Sequence, residues 1–232
     1  MVDSTQKQSL EEDFGLKQKP YFDSKYGTAT FQNSLGRERR NQINKWIEQA
    51  AVAQSVLDVG CGPALLYPGA YQNFESYFAM DIVKSNLEEV SENKARVRNI
   101  QADLDNFTRE YEPPSLIICA GCIEYSKAGV LNVLRLSRIL ANGGSLILTF
   151  PNVLSPYRMW FEYGYRQLVH TIAPSEKRPA HARVMFRLGK VVKLLESEEF
   201  EIVDTCRLGL CFVPPPFDNW FPKTAFKVRT WL

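Results

Sequence analysis

The chain has 232 residues, with 28 lysines and arginines against 26 acids, for a formal net charge of +2. That length buries a sizeable core in one domain, and the near-neutral balance gives no chain-wide basic footprint for nucleic acid or an anionic membrane. No run reaches the roughly eighteen apolar residues of a membrane span, and the polar start "MVDSTQKQSLEEDFGLKQKP" is unlike a signal peptide. A cytoplasmic protein without stable membrane insertion is expected.

Residues 1–20 carry no apolar period and are expected to be a flexible tail ahead of a single domain over 21–232. Tyr21 to Ala53 reads as helical, with Ile43, Trp46, Ile47 and Ala50 along one face. Strands follow at 55–60 ("SVLDVG"), 77–82 ("YFAMDI"), 97–103 ("VRNIQAD"), 115–121 ("SLIICAG"), 144–150 ("GSLILTF") and 200–213 ("FEIVDTCRLGLCFV"). Helical pieces lie between them, near 85–92, 128–141 and 188–197. Continuously apolar strands alternating with helices predict an α/β fold in which helices cover both faces of a mostly parallel central sheet. Ligands in such sheets bind at the carboxyl ends of the strands, where Gly60, Asp81, Asp103 and Gly121 fall.

The five cysteines, Cys61, Cys119, Cys122, Cys206 and Cys211, sit mostly in apolar runs and read as reduced thiols. "CAGC" has the spacing of half a zinc knuckle and lacks a second half, so no metal site is expected. The glycine turn is more telling. A dinucleotide fingerprint, G-x-G-x-x-G, needs glycine where Leu65 stands, and a carboxylate at Asp58 beside the turn would repel a pyrophosphate. The same carboxylate would attract an ammonium group, which argues against a nicotinamide dehydrogenase.

S-adenosyl-L-methionine carries an ammonium and a sulfonium and no phosphate, and "VLDVGCGPA" resembles the first motif of class I S-adenosylmethionine-dependent methyltransferases. Ala64 stands where many members have a third glycine. The resemblance covers roughly Tyr21 to Cys211 and implies the family's Rossmann-like fold, with a cofactor site at Asp58, Gly60, Cys61 and Gly62. It assigns the ribose hydroxyls to Asp81, followed by Ile82, and in "IQADLDNF" the adenine to Asp103 and Leu104. Ala120 ends the fourth strand of the resemblance, "LIICAG". "YFDSKYGTATFQ", with Tyr26, Tyr21 and Phe22, resembles the aromatic lead-in by which many small-molecule members cover the cofactor. "LRLSRILANGGSLILTFPN" is similar to the family's helix, Gly-Gly turn and fifth strand. S-adenosyl-L-homocysteine would be the product.

Methyl transfer from a sulfonium is an in-line displacement that removes positive charge, so the protein mainly aligns the reactants in a dry pocket. A base is needed only when the acceptor arrives protonated. His181 is the candidate base, because imidazole titrates near neutrality, and His170 has a weaker claim. Asn152, in "FPN", is the candidate to orient an acceptor oxygen. Glu124 and Tyr125 stand where relatives often carry Glu-His, and the tyrosine puts a base at that position in doubt.

A long insertion, 153–183, is expected to be a helical lid on the acceptor side, with Ser155 and Pro156 at its start. Tyr157, Trp160, Phe161, Gly164 and Leu168 mark one apolar helical face, expected to pack on the core as a lid, with a partner or membrane surface as the alternative. Tyr21, Glu124, Tyr125, Tyr157, Trp160 and Arg183 are the expected substrate-binding residues. From Val153 to Lys193 there are eight bases and two acids, a net of +6 against −4 for the rest of the chain. Lining a pocket, that excess would suit an acceptor bearing a carboxylate or phosphate. "GCIEYS" lacks the Asn/Asp-Pro-Pro-Tyr/Phe motif of enzymes that methylate base amino groups, and no nucleic-acid partner is expected.

The expected reaction is methyl transfer to an oxygen, hydroxyl or carboxylate, of a small metabolite, natural product or modified peptide. Small-molecule N-methylation and a catalytically silent cofactor-binding module are the alternatives. The aromatic and basic end, "FPKTAFKVRTWL", also fits a domain cut from a longer enzyme with a fused second catalytic domain.

Overall fold

The computed structural model describes residues 31–50, 54–62, 74–91, 97–108, 111–153, 159–165, 167–168, 171 and 184–208. Five strands form one sheet: β1 (Ser55–Val59), β2 (Ser76–Asp81), β3 (Val97–Gln101), β4 (Leu116–Ala120) and β5 (Ser145–Thr149). Their spatial order is β3-β2-β1-β4-β5, and every neighbouring pair is parallel. Chain order reverses direction at β1, so β1 and β4 splay their following loops to opposite sides and leave a crevice at their carboxyl ends.

The helices are α1 (Phe31–Gln49), α2 (Lys84–Ser91), α3 (Val130–Ile139) and α4 (Leu188–Ser197). Alternation along the strands divides the core in two. Val56, Tyr77, Ala79, Leu116 and Ile118 pack with Ile43 and Ile47 of α1 and Leu87 of α2. Leu57, Phe78, Met80, Ile117 and Cys119 pack with Val133 and Leu136 of α3 and Val191 and Leu195 of α4. The central strands β1, β2 and β4 are therefore apolar on both faces, which is why their sequences read as unbroken hydrophobic runs. One position breaks the run: Asp58 points by parity to the α1 face and is 1% exposed.

Two expectations change. Over its described part the sixth strand is not a strand: residues 200–208 join no ladder, and Val203 is 89% exposed. The stretch is held instead from the side, where the Trp46 indole N–H donates to Asp204 Oδ2 at 2.7 Å; residues 209–213 lie outside the described residues. In the insertion, Trp160–Tyr165 form a π-helix rather than an α-helix. Its wider turn rotates later residues off an α-helical face; Leu168, beyond it, and Trp160, which opens it, are both exposed instead of packed on the core.

The insertion starts and ends at one place. Asn152 and Phe186 form a parallel bridge, with Val153 N–H donating to Phe186 O at 2.9 Å and Phe186 N–H to Pro151 O at 3.2 Å. Phe186 is itself a core residue, packed on Phe150 with ring centroids 5.2 Å apart.

Candidate active site

The turn after β1 is built by backbone. Gly60 (φ +66°) and Gly62 (φ +55°) take left-handed conformations that favour glycine. The N–H groups of Gly60 and Cys61 both donate to Met80 O, at 2.8 and 3.0 Å. Gly60 also has no room for a side chain, since a Cβ there would lie 2.4 Å from Cys122 Cβ. The loops after β1 and β4 thus touch, and the Cys122 thiol bonds Val59 O at 2.9 Å and the Cys119 sulfur at 3.1 Å.

Two buried carboxylates face this turn. Asp81, at the end of β2, accepts the N–H of Gly62 on Oδ2 and of Val83 on Oδ1, each at 2.8 Å. One side chain therefore sets the shape of both the glycine turn and the Ile82 corner. Burial pushes its carboxyl above the ordinary value, and bonds from Val83, Gly62, Asn86 and Ile82 oppose that. Asp58 accepts the Tyr77 hydroxyl on Oδ2 at 2.5 Å, while its buried Oδ1 has no partner among the described residues. Burial, with Asp81 adding repulsion and Tyr77 opposing, pushes Asp58 up to about 7. The Cys61 thiol, buried beside both acids, is pushed well up by burial first and by their charges second.

The remaining cofactor candidates lie along the same edge. Asp103 follows β3 in a tight turn, accepting Asp105 N–H at 3.1 Å and the Asn106 amide at 3.3 Å. Leu104 is half-buried against the α3 side of the core. Ala120 ends β4 beside Thr149. On the acceptor side, Glu124 and Tyr125 lie in a short 3₁₀ turn after β4, and Glu124 is buried. The Glu124 carbonyl accepts Val184 N–H at 2.7 Å, tying the end of the insertion to this loop. Asn152 sits in the bridge at the insertion's root. Trp160, by contrast, is 46% exposed. Tyr21, Tyr26, Tyr157, His170, His181 and Arg183 lie outside the described residues.

Sequence reading missed two residues. Arg39 on α1 lays its guanidinium against Gly121, where a Cβ would lie 2.6 Å from Nη1. Gly121 (φ +80°) follows β4, so a cation stands at the mouth of the crevice. Arg39 continues the buried positions Ile43 and Ile47 at a spacing of four, and an arginine in phase with an apolar stripe was a usable signal. Tyr77 is the other: it reads as a strand core residue, yet its hydroxyl reaches the Asp58 carboxylate. An orphan carboxylate oxygen and a guanidinium with no counter-ion among the described residues match the ammonium and carboxylate of an α-amino acid.

Residues 35–204, most of the chain, match the "Methyltransferase domain" family. No curated protein sequence matches. Solved structures do. Magnesium protoporphyrin IX methyltransferase from Synechocystis PCC 6803, with bound S-adenosylhomocysteine, is 15% identical at a TM-score of 0.63 over 88% of this chain and 93% of that one. A putative methyltransferase from Bacillus halodurans C-125 is 19% identical at 0.53, over 69% and 70%. An N-methyltransferase from Bradyrhizobium japonicum WM9 is 16% identical at 0.43, over 52% of this chain, which spans 62% of that enzyme's length. The parallel sheet, the glycine turn flanked by two buried acids and the family match agree: the chain belongs to the methyltransferase domain family and is a class I S-adenosylmethionine-dependent methyltransferase.

Proposed function

We propose that this single domain, 21–232 with its lid at 153–183, is a cytoplasmic enzyme that methylates an oxygen, hydroxyl or carboxylate, of a small anionic acceptor. The observation that carries the cofactor's placement is the pairing of the unpartnered Asp58 Oδ1 with the Arg39 guanidinium on the same face of the sheet. Asp58 would take the ammonium of the cofactor and Arg39 its carboxylate. Asp81 would take the ribose hydroxyls, its carboxylate held in orientation at the carboxyl end of β2 by the N–H groups of Gly62 and Val83. Gly60, Cys61, Gly62 and Ile82 would contribute backbone, and Asp103, Leu104 and Ala120 the adenine end; Tyr26 would cover it. When bound, S-adenosylmethionine supplies an electrophilic methyl on a sulfonium that needs no metal or covalent help.

The chain's own work is then alignment and exclusion of water. The Asn152–Phe186 bridge and the Val184–Glu124 bond hold the insertion's two ends at the crevice, which supports acceptor contacts from Glu124, Tyr125, Asn152, Tyr157, Arg183 and the lead-in Tyr21. His181, three residues before Val184 in the sequence, would be the base for a hydroxyl acceptor. The +6 charge of 153–193 favours a carboxylate acceptor, which is already a nucleophile. Methylation of a small-molecule nitrogen is the alternative, with the same cofactor geometry and a neutral amine in place of the oxyanion.

Calorimetric titration tests the reading with S-adenosylmethionine, decarboxylated S-adenosylmethionine, S-adenosylhomocysteine and NADH on wild type, Arg39→Gln and Asp81→Ala. The sulfur ligands should bind and NADH should not, and Asp81→Ala should weaken all of them. Arg39→Gln should weaken S-adenosylmethionine and leave the decarboxylated analogue unchanged. Equal losses for both analogues would remove Arg39 from the site, and no binding of any sulfur ligand would refute the whole placement.

A further inference from the structure

We propose that Cys119 and Cys122, the thiols of "CAGC", are an oxidisable pair whose closure to a disulfide weakens cofactor binding through the glycine turn after β1. The inference rests on the placement of the cofactor at that turn. Both cysteines are free, and their sulfurs meet at 3.1 Å across the bend at Gly121. Sulfurs in a disulfide stand about 2.05 Å apart, so a shift of about 1 Å brings this pair to bonding distance. The same pair supports the turn. The Cys122 thiol donates to Val59 O at 2.9 Å, and Val59 is the residue before Gly60. Its side chain lies directly against Gly60, where an added Cβ would meet Cys122 Cβ at 2.4 Å and its sulfur at 2.9 Å. Gly60 has no side chain to absorb a displacement, so movement of Cys122 passes to the turn backbone. Oxidation thus takes the thiol donor from Val59 O and draws the sulfur beside Gly60 toward Cys119.

The two sulfurs divide the chemistry. Cys119 is fully buried and Cys122 half-buried, so a small oxidant, hydrogen peroxide, meets Cys122 first. The Cys122 thiolate attacks one peroxide oxygen, the O–O bond breaks, and a sulfenic acid forms as water leaves. Cys119 gives up its proton and attacks the Cys122 sulfur, the S–O bond breaks, and a second water leaves. Two thiols and one peroxide therefore give one disulfide and two waters, with two electrons passing from sulfur to oxygen. The hydrogen bond with Cys119, burial, and the Glu124 and Asp58 carboxylates push the Cys122 thiol well above its ordinary value. The first step is accordingly slow at neutral pH and quickens as pH rises.

The test treats the full chain, Cys122→Ser and Cys119→Ala with hydrogen peroxide, then applies intact mass, peptide mapping and calorimetric titration with S-adenosylhomocysteine. Wild type should lose two hydrogens and yield a peptide with Cys119 joined to Cys122. Its affinity should fall roughly 2- to 10-fold, the range that one hydrogen bond sets, and return in a phosphine reductant. Cys122→Ser keeps a donor for Val59 O and cannot close, and peroxide should leave the affinity of either variant where it was. A dithiothreitol redox buffer adds a readout that a merely structural pair would not move. The ligand favours the reduced pair, so saturating S-adenosylhomocysteine should raise its midpoint potential by about 30 mV for each tenfold loss of affinity on oxidation. Oxidation confined to Cys206 or another thiol, or a closed pair that binds as tightly as the open one, overturns the proposal and leaves the cofactor placement standing. Failure of the reduced protein to bind S-adenosylhomocysteine overturns both.

Discussion

Replacing Tyr77 by Phe should make cofactor binding sharply pH-dependent. The Tyr77 hydroxyl donates the only hydrogen bond that Asp58 receives among the described residues, at 2.5 Å, to a side chain that is 1% exposed and titrates at about 7. A hydrogen bond to a charged group contributes about 1.5–3 kcal/mol. Its loss raises the Asp58 titration by roughly one to two pH units. Asp58 is about half ionised at pH 7 in the wild type, and in the variant its ionised share falls to roughly a tenth to a hundredth. If the ionised form receives the cofactor's ammonium, affinity at pH 7 falls by about 5- to 50-fold and recovers toward pH 9. The assay is calorimetric titration with S-adenosylhomocysteine from pH 6 to 9 in buffers of different ionisation enthalpy. Wild type should release close to half a proton on binding at pH 7, and the variant should release nearly a whole one. A flat affinity across that range in wild type, or superposable profiles for the two proteins, would refute the role given to Asp58.

Without cofactor, stability should fall as pH rises from about 4 to about 7, because folded Asp58 holds a proton there that the unfolded chain, with an ordinary value of 3.8, has released. Asp81, also raised by burial, adds to the same slope. Urea midpoints across this window, with Asp58→Asn as the flattened control, measure it. Gly60→Ala should abolish cofactor binding, and adding Cys122→Gly should restore part of it in the same titration. Of the three atoms nearest the new Cβ, the two side-chain ones would be gone, leaving Cys122 Cα at 3.8 Å, while the cost of a positive φ stays. Asp105→Ala should lower unfolding free energy by about 2 kcal/mol with little change in cofactor affinity. Its carboxylate gathers Lys127 N–H, Ala128 N–H and the Asn132 amide at 2.7–3.0 Å, clamping the loop after β3 to the start of α3.

The central strands β1, β2 and β4 were legible to within one residue because burial on both faces leaves one unbroken signature, an apolar run closing on glycine or aspartate, and the outer strands β3 and β5 to within two residues from their place in the alternation. The stretch from Phe200 looked similar, yet its apolar residues include the fully surfaced Val203. A run of valine and isoleucine signals strand propensity, and pairing also needs a neighbour with free ladder groups. Asp58, Asp81 and the glycines could be read from spacing alone, since each acts through local backbone. Tyr77 could not, because its partner lies across the sheet: β1 and β2 pair Asp58 with Ala79, and Tyr77 stands two residues earlier on the same face. That relation exists only in the register of two strands. The π-helix was hidden for a related reason, as one changed turn leaves composition untouched and moves every later side chain around the axis.

The Asn152–Phe186 bridge carries a consequence for how such an enzyme changes over time. A segment whose two ends are fastened side by side to the core can be lengthened, shortened or exchanged at small entropic cost, since loop closure depends only logarithmically on length. The sheet and the glycine turn would not register the exchange. Recombination or design at this pair of positions can therefore rewrite what the protein meets on that side while its cofactor chemistry passes through intact.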